Sequence, residues 1–405
     1  MTKLAKFVQQ QLKHDAPYAW FLRDQASTSP IFKCSHLTEL DNRLESYLSC
    51  FWVSKTEQYL LLSKLNKTDW GAVYIIASVA LRSNNGAVFD EAVTALTELQ
   101  QAKELGDAFS KIEYELAKPF LQKLLKHDNP LARVAAISVY GYYEVDIENT
   151  VFIKLLNDKP IVIIAALKMI CKNKLFNYKD SVDRLLSHGD ESVAFQAVYT
   201  GSLLAMPTAI ALLKDHCFKE TVFLKTALSL LYQVINESEI VHVVNRIQKS
   251  SVSPRIKAYN IAQAGLTDKI PLLIEWMNDP EYAPIAGEAF SFITGVDIEE
   301  DDLSLLNVEL CESREAPLAE KRRNDRWTEA YEDDLPWPDS ERVSNWWGIH
   351  KHQFETGTRY LAGKTLTKDN MKIVLKKGTQ TQRHSASLFL AVRNPYEKIV
   401  NITLN

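Results

Sequence analysis

Glycine is scarce in this sequence, and the glycine-centred motifs of common enzyme classes are missing. Only 13 glycines occur among 405 residues, and none falls into a GxGxxG, GxxxxGKS/T or GxSxG pattern. Those motifs bring backbone amides against a phosphate or expose a nucleophilic serine. Their absence argues against a dinucleotide site, a P-loop and a serine-hydrolase elbow. A composite catalytic site, assembled from residues distant in sequence, remains the enzymatic alternative.

Cysteine is also sparse and shows no pattern. The five cysteines are odd in number, far apart and free of CxxC spacing, at positions Cys34, Cys50, Cys171, Cys217 and Cys311. Disulfide frameworks and zinc sites need paired or closely spaced cysteines. We therefore expect reduced thiols, most of them buried as small apolar residues, as is typical of a cytosolic protein.

Clustered metal ligands are limited to the sequence HKHQFE, which contains His350, His352 and Glu355. Residues two apart on a helix point to different faces, so the two imidazoles would diverge. The acidic runs at 299–302 and 332–334 lack the central glycine of a calcium-binding loop. We predict neither a metal nor a cofactor.

Long apolar runs are missing as well. No stretch of eighteen apolar residues occurs, and the longest candidate, Ile161–Ile170, is too short to span a membrane. Lysine and glutamine interrupt the apolar residues of the first sixteen positions, unlike those of a signal peptide. A net charge of −4 gives no overall bias toward nucleic acid. We expect a cytoplasmic protein.

The sequence does contain a repeated pattern between about Leu124 and Gly295. Each copy has a leucine-rich helix end, a polar turn and a second helix rich in small apolar residues. The second apolar residue of each copy recurs at intervals of 31, 30, 27, 34 and 30 residues, at Leu125, Leu156, Leu186, Leu213, Ile247 and Met277. A period near thirty residues is typical of stacked helical hairpins. We predict an all-α, right-handed solenoid of two-helix repeats.

Turn residues support this prediction. Proline follows a capping Asp or Asn in Asp128–Pro130, Asp158–Pro160 and Asp279–Pro280, where each second helix should begin. Glycines near the ends of second helices are expected to act as C-terminal stops, at Gly141, Gly201, Gly265 and Gly295. From Ala108 onward we predict no strand.

The remaining helices are predicted from apolar spacing. Residues 1–30 are interpreted as a helix pair, with Pro17 in a first helical turn, and His36–Val53 as a third helix. Asp69–Leu81 and Val88–Leu105 are predicted as two further partner helices.

Charge shifts abruptly after the repeats. Residues 297–345 contain 16 acidic and 6 basic residues. Residues 346–405 contain 3 acidic and 10 basic residues. We therefore divide the chain into an N-terminal helical region (1–107), the repeats (108–296), an acidic Trp/Pro-rich connection (297–345) and a C-terminal helical cap (346–405). Helices are predicted at Pro338–Phe354 and Leu375–Val392.

Aromatic residues near the acidic connection are the strongest functional lead. Four of the eight tryptophans fall within 21 residues, namely Trp327, Trp337, Trp346 and Trp347. Tyr360 follows them in the sequence. Exposed aromatics of this kind anchor protein interfaces. The opposing interpretation is that the rings pin an irregular segment to the helices. We predict these five residues as a partner-binding surface, with pinning left open.

Nucleic-acid binding is a second possible function. A DNA-binding solenoid needs one cation per repeat along its concave face. The second helices offer Arg133, Lys168, Lys225 and Arg255. The stripe is interrupted at Val193–Val198, which has no basic residue, and at Gly287–Phe290, which brings an acidic one.

The repeat block resembles HEAT repeats, with an Asp- or Pro-containing turn and a basic residue in the second helix. Further segments resemble, in order, a bacterial HEAT-repeat family associated with type VI secretion gene clusters in Gram-negative bacteria: Ala16–Pro30, His36–Leu48, Ala286–Ile298, Leu335–Trp347, Gly357–Lys364 and Leu375–Ala391. The resemblance implies context rather than catalytic residues. We therefore expect a non-enzymatic adaptor or chaperone-like scaffold whose partner is a secreted effector or a component of the secretion apparatus.

Overall fold

The computed structural model describes residues 3–51, 62–63, 65–305 and 325–403, with side chains from residue 11 onward. Helix accounts for 67% of the structure, which confirms the all-α class. The helices are α1 Lys3–Ala26, α2 Cys34–Ser49, α3 Ala72–Arg82, α4 Gly86–Thr94, α5 Leu99–Asp107, α6 Tyr114–Leu125, α7 Pro130–Tyr143, α8 Asn149–Leu155, α9 Pro160–Asn173, α10 Lys179–Leu185, α11 Glu191–Leu203, α12 Pro207–His216, α13 Leu224–Val234, α14 Glu237–Gln248, α15 Pro254–Ala264, α16 Ile270–Trp276, α17 Ala283–Thr294, α18 Ser340–His350, α19 Lys368–Lys377 and α20 Gln380–Arg393.

Two compact units divide the chain. The first contains residues 1–28, 34–204 and 398–405, and the second contains residues 29–33 and 205–397. The division after Leu204 falls inside the repeat block defined from the sequence. The four-segment division remains a prediction. No helix in the described ranges has both the length and the apolar character needed to cross a membrane.

In the first unit, second helices pack on second helices. α7 packs on α9, and α9 packs on α11. Ala135 and Ala136 of α7 and Ala165 and Ala166 of α9 are all buried. Small side chains let neighbouring helix backbones approach closely.

Proline starts two of the three helices for which this was predicted. Pro130 and Pro160 each occupy the first turn of a helix. The prediction for Pro280 is wrong, because Asp279 instead caps a turn by accepting a 2.9 Å hydrogen bond from the Glu281 amide, and α17 begins only at Ala283. The Asn129 side chain accepts a hydrogen bond of 3.0 Å from the Leu131 amide. Such caps satisfy amides that have no partner within the helix.

Two of the four predicted glycine stops are wrong. Gly141 lies within α7, where an added Cβ would come 3.4 Å from the Met169 side chain, so a small residue favours packing there. Gly201 is buried within α11, which ends two residues later at Leu203. Gly265 and Gly295 do end α15 and α17 in the left-handed conformation, with φ of 70° and 76°.

The predicted N-terminal helix pair is also wrong. α1 is one helix that continues through Pro17. Its apolar residues Leu12, Ala16, Ala19 and Trp20 are all buried, so tertiary packing on α2 and α3 outweighs the missing hydrogen bond.

A capping box divides the helix predicted at Val88–Leu105. The side chain of Gln101 accepts hydrogen bonds from the backbone amides of Thr97 at 2.7 Å and Glu98 at 3.1 Å. These contacts start α5 as a separate helix after α4 ends at Thr94.

The second unit contains a short hairpin, contrary to the prediction of no strand. β1 (Tyr360–Leu361) pairs with β2 (Lys364–Thr365). The hairpin backbone also bonds to the ends of two helices: the Tyr360 amide donates to Gly265 O at 2.9 Å, and the Gly363 amide donates to Ile293 O at 2.9 Å. A side chain at Gly265 would place its Cβ 2.5 Å from Tyr360 O. Glycine is required by both the backbone angle and this approach.

The C-terminal helices lie close to their predicted positions. α18 covers Ser340–His350, followed by a 3₁₀ turn at Lys351–Gln353, within the predicted Pro338–Phe354. The other predicted helix, Leu375–Val392, is divided between the end of α19 and α20, because Thr379 and Gln382 form a capping box that starts α20.

Candidate functional site

An open cleft of about 490 Å³ lies in the first unit. α5, α7 and α9 form its walls, and residues from the C-terminal segment complete one side. Its lining is mainly apolar and includes Val134, Ile137, Ile161, Ile164, Ala165 and Met169. Pockets of this volume bind small molecules or a few side chains of a peptide.

The repeat register builds this cleft. Pro130 and Pro160 both stand at the first helical position, so α7 and α9 are equivalent residue by residue. Val134 and Ile164 are therefore equivalent, as are Ser138 and Lys168 four residues later. Residues four apart share a helix face. The two helices thus present the same face to the cleft.

Lysines give one side of the cleft a positive charge. Lys168 is exposed and makes no ion pair with the described residues. The Nζ atom of Lys172 lies 5.9 Å from the centre of the Tyr142 ring. Burial lowers the pKa of Lys172, against the opposing effect of Glu144. The Lys168 ammonium is available to a negatively charged ligand, whereas the Lys172 ammonium already interacts with Glu144.

The charges on α5 largely neutralise one another. Lys103 forms ion pairs with Asp24 and, at 3.7 Å, with Asp107. Burial raises the pKa of the Asp107 carboxyl and lowers the pKa of the Lys103 ammonium. The electrostatic character of the cleft therefore depends on Lys168 and Lys172.

The C-terminal segment contributes the remaining wall. The Ile399 amide donates a 3.1 Å hydrogen bond to Lys172 O, and Lys398 forms a 2.6 Å ion pair with Glu144. Asn401 and Thr403 line the cleft. Sequence reasoning missed this wall, because no local signal links residues 398–403 to α9.

Three of the predicted aromatic residues belong to one packed cluster in the second unit. The rings of Trp346 and Trp347 meet Phe290 edge-on, with centroids 5.7 Å and 6.5 Å away. The Phe354 ring lies between those of Trp347 and Tyr360, with centroid distances of 5.2 Å to Trp347 and 5.0 Å to Tyr360. Tyr360 is 5% exposed, while both tryptophans are half-buried. These contacts favour the pinning interpretation; the partner-binding role remains a prediction.

Trp327 and Trp337 pack elsewhere in the second unit. Trp327 is 7% exposed, and its carbonyl accepts a 3.1 Å hydrogen bond from Lys225. Trp337 is half-buried, and its carbonyl accepts from the Leu305 amide at 2.8 Å. The acidic connection is therefore packed where it is described, as its aromatic content predicts.

The cations of the predicted basic stripe mostly have acidic partners. Arg133 pairs with Asp158 at 2.9 Å, and Lys225 pairs with Glu329 at 2.7 Å. Arg255 pairs with carboxylates of the acidic connection. Lys168 differs from these three, because it makes no ion pair within the described ranges.

Two further groups of side chains bear on metal binding and on catalysis. The His350 ring stacks on the Trp346 ring, with centroids 4.2 Å apart. Among the described residues, no group of three or more potential metal ligands occurs. Burial raises the pKa of Glu288 to about 7, an effect that Lys225 opposes. Burial and then the charge of Glu288 raise the pKa of Tyr331.

Searches of protein-family models, curated proteins and solved structures found no match to this chain.

Proposed function

We propose that this chain is a non-enzymatic protein-binding scaffold, and that its partner binds in the cleft of the first unit. The observation that carries the proposal is an open apolar cleft built by equivalent faces of two successive helices. An apolar surface of this kind is a marker of an interaction site.

We further propose that the helix pairs of residues 108–296 form a HEAT-like solenoid. Packing of α7 on α9 and of α9 on α11 supports this in the first unit. Packing of α13 on α15 and of α15 on α17 supports it in the second. Stacked repeats of this kind present extended surfaces suited to a protein partner.

The resemblance to a family associated with type VI secretion directs the search for that partner. We propose that a secreted effector or a component of the secretion apparatus is bound. Binding of nucleic acid is the competing outcome, because Lys168 and Lys172 would also attract phosphates.

Site-specific photocrosslinking tests the proposal. A photoreactive phenylalanine analogue replaces Ile164 in the cleft, and a matched control carries it at Ile349, which is exposed in the second unit. Cells that naturally produce the chain are irradiated, the lysate is treated with nuclease, and crosslinked proteins are identified by mass spectrometry. We expect one discrete protein from position 164 that is absent from position 349.

A second variant, Val134→Glu, checks that capture depends on the cleft. A charge in the apolar floor should remove the crosslinked protein while leaving the far-ultraviolet circular dichroism unchanged. Equal capture from both positions, or capture that survives Val134→Glu, would contradict the proposed site. Recovery of nucleic acid alone would favour nucleic-acid binding.

A further inference from the structure

The second unit shows what covers the helix face that is open in the first. We define the acidic segment as residues 325–338. Pro254 starts α15 as Pro160 starts α9, so Arg255 is equivalent to Ile161. Ile161 lines the open cleft, whereas Arg255 holds the acidic segment. The helix position that contacts the acidic segment in the second unit thus lines the open cleft in the first.

Carboxylates of the acidic segment bind cations on this helix face. The Nη1 atom of Arg255 lies 2.9 Å from an oxygen of Asp325, and its Nε lies 3.0 Å from Glu332. Lys225 binds Glu329 at 2.7 Å. Charge-assisted hydrogen bonds of this length are stronger than neutral ones, especially when water is excluded.

Apolar groups of the acidic segment also contact the helices of the second unit. Trp327 is buried beside Lys225, whose ammonium bonds to the Trp327 carbonyl. Pro338 packs over Gly287 of α17, where an added Cβ would come within 3.1 Å of the proline ring. The acidic segment thus combines carboxylates with aromatic and proline side chains.

The open cleft offers both kinds of contact. Its floor is apolar, and Lys168 stands beside it without a carboxylate partner among the described residues. Lys172 also lines the cleft, and the charge of Glu144 acts on it. An acidic peptide with aromatic residues would satisfy the lysines and cover the apolar floor together. A nucleic-acid phosphate backbone would leave the apolar floor uncovered, and its negative charge would be repelled by Asp107 in the cleft lining.

We infer that the cleft binds an acidic, aromatic peptide segment of the partner protein, of the kind that residues 325–338 represent. The inference rests on the proposed scaffold function and specifies the chemistry of its partner. Binding combines insertion of an aromatic side chain between α7 and α9 with ion pairs to Lys168 and Lys172.

The probe is a fluorescently labelled synthetic peptide, DRWTEAYEDDLPWP, which has the sequence of residues 325–338. It is titrated with the full chain, and fluorescence anisotropy reports binding. Two matched peptides carry either amides in place of all carboxylates or alanine in place of Trp and Tyr. We expect each replacement to weaken binding at least about tenfold, or about 1.4 kcal/mol.

Protein variants locate the binding. Lys168→Glu should also weaken the peptide at least about tenfold, because it replaces attraction by repulsion. Lys126→Glu is the matched control, since Lys126 is exposed outside the cleft lining, and it should bind as the parent does.

Absence of binding up to about 1 mM peptide, a free energy weaker than about −4 kcal/mol, would overturn the inference. Equal binding by the Lys168→Glu variant would also overturn it, because the peptide would then occupy the second unit or another surface. A protein crosslinked at position 164 in either case would preserve the scaffold function and refute only the peptide chemistry. Failure of both experiments would refute both the scaffold function and the peptide chemistry.

Discussion

Arg255 gives the sharpest prediction from the structure. Its side chain is 1% exposed, and the carboxylate of its partner Glu332 is 4% exposed. Asp325 lies on another nitrogen of the same guanidinium. Replacement by methionine, Arg255→Met, keeps most of the side-chain volume but leaves a buried carboxylate without its cation. Breaking a buried pair in this way costs about 3–5 kcal/mol.

The loss should appear first as opening of the acidic segment. Hydrogen exchange with mass spectrometry measures opening of residues 325–338 separately from the rest of the chain. A local measurement is needed because two compact units need not unfold in one step. We expect the opening free energy of the acidic segment to fall by about 3–5 kcal/mol, with little change in α7 and α9.

Two comparisons decide whether the buried charge is responsible. The double variant Arg255→Met, Glu332→Gln should recover part of the loss, because it removes the unpaired carboxylate. Arg326→Met removes an exposed pair with Glu220 at 3.3 Å and should cost less than about 1 kcal/mol. A loss below about 1 kcal/mol for Arg255→Met, or no recovery in the double variant, would refute the reasoning.

Three further predictions concern stability. Burial raises the pKa of Glu104, a fully buried residue, from 4.5 to about 7. Its contribution is complete below pH 4.5 and is lost as the pH rises through 7, so Glu104→Gln should remove up to about 3 kcal/mol of pH dependence in urea unfolding. Gly295→Ala, at φ 76°, should cost about 1–3 kcal/mol, whereas Gly86→Ala, with open space around it, should not destabilise the fold in the same assay. Trp346→Ala with Trp347→Ala should lower the melting temperature of the second unit because both rings pack against Phe290; unchanged melting would contradict the pinning interpretation.

Local signals in the sequence were sufficient to predict much of the helical structure. Proline at the first position of α7 and α9, and glycine after α15 and α17, act over a few residues, so their meaning can be read without knowing the fold. The small apolar residues that characterise each second helix include the alanines at 135–136 and 165–166, which are buried.

Some helix ends and interiors depart from their usual residue preferences because residues distant in sequence stabilise them. Lys174 ends α9 in a left-handed conformation with φ of 55°, although glycine is the usual residue there. Its ammonium donates to Leu203 O, 29 residues away, at 2.6 Å. Pro17 remains within α1 because the buried face of that helix outweighs one lost hydrogen bond.

By itself the sequence determined the all-α class, the starts of α7 and α9 and the equivalence of these two helices, because each depends on spacing within a few turns. The cleft needed the tertiary structure, since its wall at residues 401–403 lies more than 200 residues from α9 in the chain. The pairing of Arg255 with Asp325 and Glu332 spans 70 and 77 residues and has no local pattern. Which lysines pair with carboxylates and which, like Lys168, remain available for a ligand depends on the tertiary structure.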